Sequence, residues 1–290
     1  MSLTEDRISP ARIAAARAAH PGAFRAPLSV RLRRAAGWTL FTGLFVYCLW
    51  AFDFSPARIW TGLQRFGDVL GFMFPPYVWS SWEEFWPILE GLGETLSMAF
   101  LGTLLGAVVA FPVSFLGAKN INRLGVLRLG VRRGYDVIRA FETLILALIF
   151  IRAFGLGPLA GILAIAVSEI GTFAKLFSEA IENTSDRPVD GVKASGGSRL
   201  QQIRFGTLPQ VMPVIWSVLL YNFESNVRSG TILGIVGAGG IGFLLSDRIA
   251  AYRWNEAWSI IFLIIAMVYV IDYLSGLIRA RIIGTGELSR

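Results

Sequence analysis

The feature that most constrains this chain is a set of apolar runs, each about the 20 residues needed to cross a hydrocarbon core, with ionisable residues inside several of them. The runs lie near Trp38 to Phe54, Thr95 to Ala118, Val137 to Phe154, Leu156 to Phe177, Gln210 to Val236 and Ala257 to Ile278. Backbone amides in lipid must be satisfied within their own segment, so these runs predict six transmembrane helices in an all-α polytopic membrane protein. Hydrophobic residues make up 54% of the 290 and charged residues 16%. Soluble domains carry about 25% charged residues, so a soluble fold is excluded.

Orientation follows from where Lys and Arg gather. With the amino terminus inside, 19 basic residues fall on cytoplasmic segments and four (Arg58, Arg65, Arg248, Arg253) on external ones. Both termini and the polar segment around Asp190 to Pro209 are therefore expected in the cytoplasm. Topogenic arginines account for the net charge of +7, so no nucleic-acid partner is expected.

The organisation expected is a cytoplasmic tail over 1–36, a first anchor helix over 37–54, an external interfacial segment over 55–87, a transmembrane core over 88–283 and a cytoplasmic tail over 284–290. The tail holds His20, the sole histidine, and a short amphipathic pattern at Ile8 to Ala19. Aromatics between Trp60 and Trp86 suit a membrane interface. Gly102, Gly106, Ala107 and Ala110 recur at the spacing that lets helices approach closely in a bilayer.

An ionisable group in a span costs about 3 kcal/mol on insertion scales, so such groups mark an interior face. Arg139, Glu142, Arg152, Glu169, Lys175, Glu224 and Arg228 fall in the runs. Glu142, Glu169, Glu224, Asn226 and Arg228 are the candidate pathway or gate residues. Glu224 and Arg228 stand four apart and can pair along one helix face, with Asn226 pointing elsewhere. That pair can either hold the helix or serve a route; a guanidinium beside a route favours an oxyanion, whose geometry its fork matches.

Catalytic and metal signatures are missing from the sequence. Cys48 is the single cysteine, which leaves no disulfide and no cysteine-based metal site. Gly237 to Gly242 spells GxGxxG, but a dinucleotide site needs a strand before it and a βαβ unit around it. Here the glycines follow a span and fit a tight re-entrant turn or close helix approach.

The polar segment Asp190 to Pro209 interrupts two apolar runs with Asp190-Gly191-Val192-Lys193, then Gly196-Gly197, Arg199, Gly206 and Leu208-Pro209. Its spacing is similar to the docking signature of permease subunits of binding-protein-dependent ABC importers. Asp stands for the usual Glu, Gly-Val for Ala-Ala and Gly206 for Ile. A narrower likeness, to the phosphonate-type branch, rests on Gly155 to Pro158, Lys175 to Ala180, Pro209 to Pro213, Phe223 to Ser229 and Val236 to Gly242. It spans about Leu92 to Arg279.

The resemblance implies the ABC importer permease (MetI-like) fold in a bacterial inner membrane, with a cytoplasmic coupling segment over 179–209. It implies a second copy of the permease, two cytoplasmic ABC ATPase subunits and a periplasmic or lipid-anchored phosphonate-binding protein. ATP and Mg would be held by the ATPase, so this chain would carry no cofactor or metal and no catalytic residue. Asp190, Gly191, Val192, Lys193, Gly196, Gly197, Arg199, Leu208 and Pro209 would couple to the ATPase, with Gly196-Gly197 permitting a sharp turn or a close approach. The cargo implied is a phosphonate or a reduced phosphorus oxyanion such as phosphite or hypophosphite; a permease for another small solute, or a non-transporting scaffold, shares the topology.

Overall fold

The computed structural model describes residues 27–283 and the short pieces 14–15 and 18–19. His20, the tail 284–290 and most of the amphipathic pattern at Ile8 to Ala19 lie outside the described residues. The chain divides into two units, 1–71 and 72–290.

In the first unit, α1 (Leu28–Ala51) begins earlier than its apolar run because Arg31, Arg33 and Arg34 are good helix formers. α2 (Pro56–Gly71) follows at a 52° bend. Proline fits the first turn of a helix, where its missing N–H is not needed, and so Pro56 starts α2. Ile59, Leu63, Phe66 and Leu70 line one face of α2, opposite Arg58, Arg65 and Asp68, the pattern of a helix lying in a membrane interface. The segment expected as an aromatic interfacial stretch is thus partly helical.

The second unit is built on α3 (Trp82–Gly117), α4 (Gly125–Arg139), α5 (Thr143–Phe154), α6 (Pro158–Glu182), α7 (Asp186–Ala194), α8 (Leu208–Leu233), α9 (Gly240–Ala250) and α10 (Trp254–Ile283). The Ser81 hydroxyl caps α3 by accepting from the Glu84 amide at 3.3 Å. α3 and α6 form the central seam. A Cβ on Gly102 would stand 2.7 Å from Ile165 Cβ, and one on Gly106 2.7 Å from Glu169 Cβ, so these glycines let the two helices touch. Met98, Ala99, Ile165, Phe173 and Phe177 fill the core along the seam, with the last two rings stacked at 5.3 Å.

Among the described residues, four continuous helical segments are long and apolar enough to cross a membrane: Trp82–Gly117, Pro158–Glu182, Arg199–Ala238 and Trp254–Ile282. The bent pair α1 and α2 would add a fifth. The span expected at Val137 to Phe154 is shortened. α4 ends where the Ala140 amide donates to Asp136 and Val137 carbonyls, Glu142 is extended, and the apolar helix that remains is 12 residues, about 18 Å. Arg139 and Glu142 therefore lie at a joint between helices. Its polar sequence makes α4 an amphipathic helix packed along α6.

Candidate functional site

The polar segment from Asp190 to Pro209 is more helical than loop-like. α7 is capped by Ser185, whose hydroxyl accepts from the Arg187 amide at 3.4 Å, and it ends at Gly196 with φ +82°. That left-handed conformation costs an L side chain about 1–2 kcal/mol, which explains glycine there and makes the expected sharp turn. Ser198 and Gln201 then form a capping box: the Gln201 amide donates to Ser198 Oγ and Gln201 Oε1 accepts from the Ser198 amide at 2.7 Å. A π-helical stretch, Gln202–Thr207, leads into α8, with Pro209 in its first turn.

Gly206, a departure from the docking signature, has a local reason. A Cβ there would lie 2.9 Å from Val189 Cα, so the π-helical stretch packs directly on the α7 backbone. Gln210 fastens the segment to the bundle. Its Oε1 accepts from the Ser185 amide at 3.0 Å, and its Nε2 donates to the Ser185 and Gly206 carbonyls at 3.2 and 2.7 Å. Asp190, Gly191, Lys193, Gly196, Arg199 and Pro209 are exposed, while Val192, Gly197 and Leu208 are half-buried. Arg204 stacks over Phe205 at 5.5 Å, and Leu200 is 78% exposed, so the segment offers both charge and apolar surface. Gln201 is spent on the Ser198 cap. Gln210 and Gln202, whose Nε2 donates to the Gly197 carbonyl at 2.9 Å, escaped the sequence reading because a glutamine beside a loop carries no signal of its own.

Beside this segment, Glu182 takes the Lys119 amide at 2.5 Å and pairs with Arg132 at 2.8 Å, joining the α3–α4 connection to the end of α6. Tyr135 donates to the Val113 carbonyl at 2.7 Å, and burial pushes its phenol up from its ordinary range. Lys175 pairs with Asp136 of α4 at 3.4 Å.

Within the helices, the candidate residues separate into two groups. Glu169 on α6 and Asn226 on α8 are 7% and 6% exposed. Asn226 Nδ2 donates to Glu169 Oε1 at 2.8 Å and to Thr103 Oγ1 of α3 at 3.0 Å. Thr103 donates onward to the Ala99 carbonyl at 2.7 Å. The cluster ties three helices together.

The second group lies between α8 and α10. Arg228 Nη1 stands 3.5 Å from Glu224 Oε1 and 3.4 Å from Asp272 Oδ1, and Arg279 Nη2 donates to Glu224 Oε2 at 3.1 Å. The expected pair along α8 is present, but the shorter bond to Glu224 comes across the helices. Asp272 and Arg279 were missed because their partners are set by tertiary contact and not by spacing. Glu142 does not join either group: it is exposed and takes no ion pair or hydrogen bond through its side chain among the described residues. Arg152 is also exposed.

The glycine-rich turn after α8 closes on α3. Gly237, Gly239 and Gly240 have φ of +106°, +86° and +70°. The Gly240 amide donates to Glu94 Oε2 at 2.7 Å, the Ile241 amide to Thr95 Oγ1 at 2.9 Å, and a Cβ on Gly240 would collide with Thr95 Oγ1. The Gly157 amide donates to the Gly237 carbonyl at 3.1 Å, drawing in the start of α6. The turn and the close approach are those expected, and no strand precedes it among the described residues.

Long apolar helices, charges gathered along one helix pair and a capped polar segment between two spans describe a membrane-embedded helical bundle. Residues 102–284 match the model of the binding-protein-dependent transport system inner membrane component, and the chain belongs to that family. It is therefore a multi-pass permease of an ABC importer, a class that leaves ATP hydrolysis to a separate ATPase. It is 37% identical over 228 residues, 79% of each chain, to a protein of Stutzerimonas stutzeri with the provisional name phosphite transport system permease protein HtxC. It is 38% identical over 196 residues to the phosphate-import permease protein PhnE of Mycolicibacterium smegmatis, covering 68% of this chain and 37% of that protein. A chain of the MetNI methionine ABC transporter in an inward-facing conformation shares the fold, with a TM-score of 0.61 at 22% identity over 70% of this chain and 99% of that one.

Proposed function

We propose that this chain forms the translocation pathway of an ATP-driven importer of phosphonates or related reduced phosphorus oxyanions. The observation that carries the cargo class is Arg228: a guanidinium inside a span, 46% exposed, in a chain whose relatives are named for phosphite and phosphate transport. Its fork suits tetrahedral oxyanions, and a half-exposed charge at that depth needs water or protein beside it. A second copy would supply the other wall of the pathway. Two ATPases would hold ATP and Mg and seat the segment Asp190 to Pro209, whose Lys193, Arg199 and Leu200 are exposed. An external binding protein would deliver the cargo, and both termini would lie in the cytoplasm, as the distribution of basic residues supports.

The test is ATPase stimulation and uptake in vesicles holding the permease, its ATPase and its binding protein, with 2-aminoethylphosphonate, phosphite and phosphate compared. Hydrolysis and uptake driven by a phosphonate or phosphite support the proposal. Response to phosphate alone keeps the importer and overturns the reduced-phosphorus cargo; no coupling with any of the three, in an assembled complex, overturns both.

A further inference from the structure

Between α8 and α10 two acidic and two basic side chains balance: Glu224 with Arg279, and Arg228 with Asp272. The halves of this set differ in tightness. Glu224 is 13% exposed, and its bond to Arg279 is 3.1 Å. Arg228 and Asp272 are 46% and 40% exposed, and their contact is 3.4 Å, at the outer limit of hydrogen bonding. Arg228 also lies 3.5 Å from the other Glu224 oxygen, so two carboxylates of different burial face one guanidinium. These are the charged groups facing Arg228 from its own helix and from α10.

We infer that Asp272 is the exchangeable counter-ion of Arg228, a carboxylate that holds the guanidinium in the empty permease and yields it to the cargo oxyanion. The inference rests on the reading of Arg228 as a pathway residue and names the residue that sets its affinity. An uncompensated Arg228 would be costly inside the membrane, so the empty state needs an anion beside it. A tight, buried partner would not give way. Glu224 is engaged by Arg279 and stays, whereas Asp272 is half-exposed, loosely bonded and engages no other basic side chain among the described residues. A phosphonate offers two oxygens to the fork in place of one, and charge-assisted bidentate pairing exceeds a single long contact. Once displaced, the Asp272 carboxylate remains near the bound anion and, by like-charge repulsion, favours its release. Asp272 is thus a positioning residue that weakens binding and quickens turnover.

This predicts a gain of affinity on removing a charge, which damage to the fold would not produce. Methylphosphonate binding to the detergent-purified permease–ATPase complex, followed by 31P NMR titration, reads affinity without the binding protein's contribution. Asp272→Asn is expected to bind about 2- to 5-fold more tightly, the range of partly exposed charge pairs, with slower uptake turnover in vesicles. Asp272→Glu, which restores the charge, is expected to return affinity towards wild type. Equal affinity of Asp272→Asn and wild type, or no binding by either, overturns the counter-ion assignment and leaves the importer reading standing. Full transport by Arg228→Ala overturns the pathway reading and this inference with it.

Discussion

Two polar groups sit among the apolar helices of this protein, and they are bonded in opposite ways. Thr103, Glu169 and Asn226 are buried, and the amide hydrogens of Asn226 are both used at 2.8 and 3.0 Å. Arg228 and Asp272 are half-exposed and meet at 3.4 Å. A buried, short-bonded cluster has no cheap alternative partner, since losing a bond leaves a polar atom unsatisfied in a low-dielectric interior. A half-exposed ionic contact can trade its partner for another ion at little cost. The first arrangement fixes α3, α6 and α8 together; the second leaves a charge available on the edge formed by α8 and α10. Exposure thus separates residues that look alike in sequence, all being polar insertions in spans.

The comparison can be broken at its firm side first. Asn226→Leu would strip Glu169 Oε1 and Thr103 of their donor and should lower stability by about 2–3 kcal/mol, read as a fall in the unfolding midpoint of the purified permease. Little change would mean the cluster is not a fastening. On the loose side, Arg228→Ala should leave that midpoint nearly unaltered while uptake falls by about 10- to 100-fold, the worth of charge-assisted bonds to an anion. A loss of stability equal to that of Asn226→Leu would erase the distinction between the groups. Gly196→Ala places an L side chain at φ +82° and should cost about 1 kcal/mol, with ATP hydrolysis less tightly linked to uptake. Unchanged coupling in vesicles would remove Gly196 from the docking segment. Ser198→Ala deletes the capping box and is expected to cost about 0.5–1 kcal/mol, detected as faster amide hydrogen exchange over 198–204; exchange equal to wild type would deny the cap a role in ordering the segment.

Much of the architecture was legible because membrane spans are written locally. Twenty apolar residues in a row admit little but a helix in lipid, and the runs at Thr95, Leu156, Gln210 and Ala257 each correspond to a long helix. The run from Val137 misled, because apolar residues continue through it while the backbone breaks at Ala140 to Glu142. Hydropathy averages over a window and does not register a break of a few residues. In the candidate sites, Gly196, Pro209 and the glycine-rich turn were readable from chain geometry, since φ above zero and the first turn of a helix select particular residues. Glu142 was singled out with Glu169 on hydropathy alone, and the structure separates an exposed joint from a buried contact.

The sequence by itself determined the helices, the sidedness expected of them and the polar segment with its glycine hinge, all of which depend on neighbours a few residues away. Only the tertiary structure decided that Asn226 bonds to Glu169 and Thr103, that Gln210 fastens the polar segment before α8, and that Asp272 faces Arg228. Those pairs are 57, 123, 25 and 44 residues apart, in the order Asn226 to Glu169, Asn226 to Thr103, Gln210 to Ser185 and Arg228 to Asp272. Their meeting depends on how helices rotate and cross in the bundle, which side-chain volume along the α3–α6 seam sets and no local pattern records.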